Sequence, residues 1–199
     1  MSEKRNSVTM PKIFTSSERD RIEKKLLETA AGCLASYGVR RTTVDEITAG
    51  AHIAKGSFYL FYDSKEDLFL SLFDSFVLSL EDDYLGMLQE LDENHIVTSL
   101  TRIFSHIATR FRDEGIFRFL DSENRELIER KVSQKRYEAV KKDMEKSFYS
   151  LFSYFSIDDE SDIRSFMDAY RAILSLFLYG EKKETVDFLI RGLVLQLVQ

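Results

Sequence analysis

Tryptophan is absent from this 199-residue chain, cysteine and proline occur once each, and glycine appears only eight times. Each scarcity excludes something. Cys33 alone rules out an internal disulfide framework, which suits a reducing compartment. The one proline, Pro11, leaves the rest of the chain without helix breakers. Consecutive β-branched runs are also scarce, so the balance tips toward an all-α protein. No apolar run reaches the roughly 18 residues that a membrane span needs, and no basic-then-apolar leader opens the sequence. These absences predict a cytoplasmic chain that stays off the membrane. What is plentiful is apolar bulk: 44% hydrophobic residues, with 16 Phe, can fill a real core.

The net charge of -6 is unevenly spread. Residues 1–65 hold 11 Lys+Arg against 8 Asp+Glu, giving +3, whereas residues 66–199 hold 17 against 26, giving -9. A basic head on an acidic body would orient the molecule as it approaches a polyanion. Chemistry of other kinds finds little footing. No glycine-rich phosphate loop, nucleophile elbow or CxxC motif occurs, and His52, His95 and His106 show no metal-ligand spacing. The sequence therefore predicts no enzyme, no cofactor and no metal. Convergent ionisable side chains in a buried cleft would revive the enzyme reading.

Residues 1–14 lack periodicity and carry Lys4, Arg5 and Lys12, so they read as a flexible basic arm, either a disordered terminus or an arm that touches a minor groove or backbone. Ser16 or Ser17 then caps a helix with Ile22, Leu26, Ala30, Cys33, Leu34 and Tyr37 on one face, which Gly38 ends.

The segment from Thr42 to Leu68 is the most informative. It reads as two short helices joined by a tight turn, the layout that enters a DNA major groove. Thr42 or Thr43 caps the first, which buries Val44, Ile47 and Ala51; the second turns Lys55, Gly56, Ser57 and Tyr59 outward and Phe58 and Tyr62 inward. Thr43, Tyr59 and Lys65 suit phosphates, and Lys55, Ser57, Leu60 and Phe61 suit base edges or thymine methyl groups, with Gly56 allowing close approach. Arg41 and Thr42 complete the candidate set, although Arg40 and Arg41 fit a solvated role equally well.

Residues Arg19 to Leu68 closely resemble the N-terminal DNA-binding domain of the TetR/AcrR family of transcriptional regulators. The likeness rests on Tyr37-Gly38, Arg41-Thr42-Thr43, Asp45-Glu46-Ile47, Lys55-Gly56-Ser57-Phe58-Tyr59 and Ser64-Lys65-Glu66-Asp67-Leu68, in that order. Two positions depart from the family pattern: His52 stands where such turns carry glycine, and Ala54 stands where the recognition helix begins with a serine cap. The resemblance implies an N-terminal three-helix helix-turn-helix domain over residues 15–63. A C-terminal helical domain for effector binding and dimerisation would fill residues 64–199.

In the body, Ser64 caps a helix with Leu68, Phe69, Leu72, Phe73, Phe76 and Leu80 along one stripe, and further helices are expected at about 95–113 and 123–155. Asp162–Tyr179 and Glu184–Val198 are apolar around most of their circumference, so they form either the centre of a monomer or a four-helix seam between two copies. The seam, where the resemblance also places dimer contacts, would use Ile163, Phe166, Met167, Tyr170, Ile173, Leu174, Phe177, Leu189, Leu193 and Leu197. A hydrophobic effector would be lined by Phe104, Phe111, Phe117, Tyr137, Phe148, Phe152 and Tyr170, most of the body's aromatic residues being ordinary core. The resemblance thus implies a homodimeric repressor that binds double-stranded, palindromic operator DNA and is released by a hydrophobic small molecule. The alternative is a DNA-bound scaffold that recruits a protein partner without a small-molecule ligand.

Overall fold

A computed structural model describes residues 14–89 and 95–198, so the expected arm lies outside the described residues except for Phe14. Among the described residues there is no strand. The helices are α1 (Ser16–Arg41), α2 (Val44–Ala51), α3 (Lys55–Phe58), α4 (Lys65–Leu88), α5 (Ile96–Asp113), α6 (Ser122–Lys131), α7 (Gln134–Tyr154), α8 (Glu160–Ser175) and α9 (Lys183–Leu197), with 3-10 segments at Ile116–Leu120 and Leu176–Tyr179.

Thr15, rather than Ser16 or Ser17, caps α1. Its hydroxyl accepts from the Glu18 amide at 3.2 Å, and the Glu18 carboxylate accepts from the Thr15 amide at 2.8 Å. The inward face holds Ile22, Leu26, Ala30 and Leu34, whereas Tyr37, expected on that face, is exposed. Nor does Gly38 end the helix. With φ 77 and ψ 172 it kinks α1, and one more turn carries the chain to Arg41.

The body core is centred on Phe104 of α5, whose ring lies 4.7 Å from Phe166 and 5.0 Å from Tyr170 of α8. The buried Tyr170 hydroxyl donates to the Phe104 carbonyl at 2.7 Å, and burial pushes the phenol pKa well above its ordinary value. The single helix expected at 123–155 is two helices. The chain turns extended at Val132 and Ser133, and the break drives the Val132 side chain into the core. Residue Asp121 caps α6 through the Glu123 amide at 3.2 Å, so the new helix has its own start signal.

Head and body meet along α1 and α4. Gly115 (φ 71) lies so close to α1 that a Cβ there would sit 2.8 Å from the Ala35 Cβ and 2.9 Å from its Cα. The Arg118 guanidinium donates to the Ala35 carbonyl at 2.9 Å. On α6, the buried Asn124 amide donates to the Arg118 carbonyl at 3.0 Å, and its oxygen accepts from the Arg40 amide at 3.4 Å. Beside it, Glu123 pairs with the Arg40 guanidinium at 2.6 Å. On the other flank Arg136 of α7 donates to Ser71 of α4 at 3.1 Å and pairs with Asp74 at 3.5 Å.

Candidate nucleic-acid interface

Thr43 begins α2 with a reciprocal cap. Its hydroxyl accepts from the Glu46 amide at 3.2 Å while the Glu46 carboxylate accepts from the Thr43 amide at 2.8 Å, and these bonds hold the Glu46 pKa below its ordinary value. The helix ends at His52, which adopts the left-handed conformation (φ 56, ψ 44) that glycine would take without strain. The turn thus keeps its shape, with histidine bearing the cost. Ile53 donates to the Thr48 carbonyl at 3.0 Å and closes the turn.

No side chain caps α3 at Ala54, as the sequence implies, and α3 is only four residues long. Tight backbone bonds extend it: Leu60 donates to Ser57 at 3.1 Å and Phe61 to Phe58 at 2.9 Å. Phe58 and Tyr62 hold this segment in place as expected, both buried, with the Tyr62 hydroxyl 3.3 Å from the Glu23 carboxylate of α1. Burial, then the Glu23 charge, raises the Tyr62 pKa.

What the scaffold presents is a short exposed ridge. Lys55, Gly56, Tyr59 and Leu60 face solvent, Ser57 is half-buried, and Thr43, Arg40 and Arg41 flank them, also exposed. The Lys55 ammonium lies 3.0 Å from Asp45, and that hydrogen bond and charge raise its pKa. Arg40, Thr43, Lys55 and Tyr59 share the rim of a shallow concavity of about 440 Å³.

Three residues of the candidate set are placed elsewhere by the fold. Thr42 is fully buried, its hydroxyl donating to the Gly38 carbonyl at 2.8 Å. Lys65 turns inward and caps the kinked end of α1, donating to the carbonyls of Val39 at 2.8 Å, Arg40 at 3.3 Å and Thr42 at 2.6 Å. Phe61 is half-buried against Phe14, at 5.9 Å between centroids, and under the Arg19 guanidinium at 4.8 Å. Arg19 also donates to the Leu60 carbonyl at 3.2 Å, so α1 steadies the ridge from behind. No local sequence signal announces that contact, because the two residues are 41 positions apart.

Residues 26–72 match the sequence profile of the bacterial regulatory proteins of the tetR family. Over that segment, the head of this chain carries the tetR-family sequence pattern. A curated relative over the head is the uncharacterised HTH-type transcriptional regulator YuxN of Bacillus subtilis (strain 168), 44% identical over 50 residues. That match covers 25% of this chain and 17% of the length of YuxN. Beyond the head the tetR architecture continues as fold alone. The fatty acid degradation regulator FadR from Bacillus halodurans superposes with a TM-score of 0.67 at 17% identity, covering 88% of this chain and 94% of that one. The Thermus thermophilus FadR, a TetR-family repressor in complex with lauroyl-CoA, superposes with a TM-score of 0.60 at 16% identity, covering 88% and 93%.

In the body, the expected effector residues separate. Phe111, Phe148 and Tyr170 line a cleft of about 480 Å³ between α4, α5, α7 and α8. Tyr137 lines an adjoining one of about 200 Å³. Phe104 and Phe152 are fully buried core, and Phe117 packs against Phe177 at 6.3 Å, so these three line neither cleft. The expected seam also separates. Ile163, Phe166, Tyr170, Leu174 and Phe177 are buried within the protomer and are unavailable to a second copy. Met167, Ile173, Leu193 and Leu197 are half-buried, and Leu189 is exposed. The apolar residues that do face outward here are Phe188 (77% exposed), Tyr179 (82%), Leu189 and Leu195.

Proposed function

We propose that the protein is a cytoplasmic, homodimeric repressor whose paired ridges bind successive major grooves of palindromic operator DNA, roughly 34 Å apart. The observation that carries this reading is the exposed Lys55–Leu60 ridge, held by the capped, core-anchored α2–α3 unit within a tetR-family head. Thr43 and Tyr59 contact phosphates; Lys55 and Ser57 reach base edges; Leu60 meets a thymine methyl group; Gly56 lets the backbone approach. Arg40 and Arg41 add backbone contacts. The second copy docks on the outward stripe of α9, where Phe188, Gly192 and Leu195 recur at four- and three-residue steps opposite the buried Val186, Ile190 and Val194.

A small molecule in the body cleft releases the operator by favouring a protomer shape in which the two ridges lose groove spacing. The acyl thioester bound by the Thermus thermophilus relative makes such a hydrophobic effector a reasonable first test. The protein acts by binding and is not an enzyme. Gel retardation on the DNA upstream of its own coding region tests the reading. Wild type should retard the fragment, and Lys55→Ala with Tyr59→Ala should abolish retardation while circular dichroism and the oligomer stay unchanged. Undiminished retardation by the double variant would refute the contact assignment.

A further inference from the structure

The two body clefts are one site with two compartments. Phe73, Leu120, Lys141, Met144 and Arg171 line both, so they form a shared wall. The smaller compartment lies beneath α6, lined by Ile128 and closed on other sides by Leu70, Phe119, Tyr137 and Val140. The charges around the two are not those of their surroundings. Lys141, Arg164, Arg171 and Arg125 oppose only Glu145 and Asp168, a balance of +2, within a segment whose residues 66–199 sum to -9. All four cations are exposed, at the rim, while the deeper lining is apolar. Of the two that reach both compartments, Arg171 donates to Asp168 at 2.8 Å. The Lys141 ammonium makes no hydrogen bond or ion pair to the described residues.

Apolar depth with a cationic rim is complementary to a molecule that carries an aliphatic chain and an anion at one end. A sugar would leave the lining unsatisfied, and a neutral hydrocarbon would leave the ammonium and guanidinium groups idle. We propose that the effector of this protein is an amphipathic anion whose chain fills the compartment beneath α6 and whose charged head is held by Lys141 and Arg171. This rests on the effector reading above and narrows it. It also gives a route to the head, because α6 carries Glu123 and Asn124, the residues that grip Arg40 and the kink of α1. A chain wedged beneath Ile128 would push on that grip.

A carboxylate and the phosphates of a coenzyme A thioester share this chemistry, so both belong in the test. Binding of dodecanoate, lauroyl-CoA and dodecanol is measured calorimetrically on the full-length protein, below micellar concentrations, for wild type and for Lys141→Met with Arg171→Met. At least one anion should bind wild type roughly tenfold or more tightly than the alcohol, and the variant should lose that preference. A tighter carboxylate identifies a free acid, and a tighter thioester a coenzyme A conjugate. If dodecanol binds wild type as tightly as the anions and releases DNA, the charge assignment is overturned while the effector reading survives. If none of the three binds and operator retardation is unaffected, both fall. An unchanged anion preference in the variant overturns the placement of the head.

Discussion

Lys65 shows how a surface-type side chain becomes structural. Its ammonium reaches three carbonyls that α1 leaves unpaired beyond the Gly38 kink, and the side chain is only 18% exposed. Each bond involves a charge, so truncation orphans acceptors and does more than remove a contact. Lys65→Met should lower stability by roughly 2 kcal/mol, read as an earlier urea midpoint. An unaltered midpoint together with weaker DNA binding would return Lys65 to the phosphates. The sequence could not reveal this role, because the acceptors lie 23 to 26 residues upstream and become neighbours only once the head has folded. Thr43, by contrast, was one of two caps the sequence offered: its partner Glu46 is three residues away, and a reciprocal cap is a matter of local spacing. Thr42 differs from it by one position and is buried, a distinction that composition and spacing do not encode.

Elements were legible in proportion to how local their signals are. The helix-turn-helix, the Ser64 cap and the end of α5 before Gly115 follow from caps, turns and periodicity. The break at Val132 did not, since no glycine or proline marks it and the gain lies in seating one side chain in the core. Gly115 belongs to this scale because it sets how closely two elements approach. Its φ of 71 already disfavours other residues, and a Cβ would strike the backbone of Ala35. Gly115→Ala should destabilise by about 1–3 kcal/mol, seen as a lowered thermal midpoint. A neutral result would mean that α1 and the Ile116–Leu120 segment separate freely, which would weaken the route from cleft to head.

At the scale of the whole molecule, the proposed dimer turns on which side of α9 would meet a second copy. The sequence shows apolar residues on nearly every side of α8 and α9, so periodicity cannot choose between inward and outward stripes. Packing chooses: Val186, Ile190 and Val194 face in, and Phe188 remains 77% exposed. With Gly192 and Leu195 it forms a continuous apolar strip on the open side of α9, the kind of surface that marks a contact between proteins. Phe188→Glu should convert the dimer to a monomer in light scattering and weaken operator binding together with it, since a lone ridge loses the second half-site. A variant that stays dimeric would move the seam elsewhere.

The pairing of Arg40 with Glu123 occupies a guanidinium that the proposed operator complex would also claim. In the proposed operator complex a phosphate that takes it must first draw it from α6, and the proposed effector, by disturbing α6, would change what the phosphate finds. Linkage then runs in both directions: by whatever factor the ligand weakens the operator complex, the operator weakens retention of the ligand. If the proposed effector releases the proposed repressor, operator-bound protein is therefore the poorest reservoir of that effector, and free protein the best.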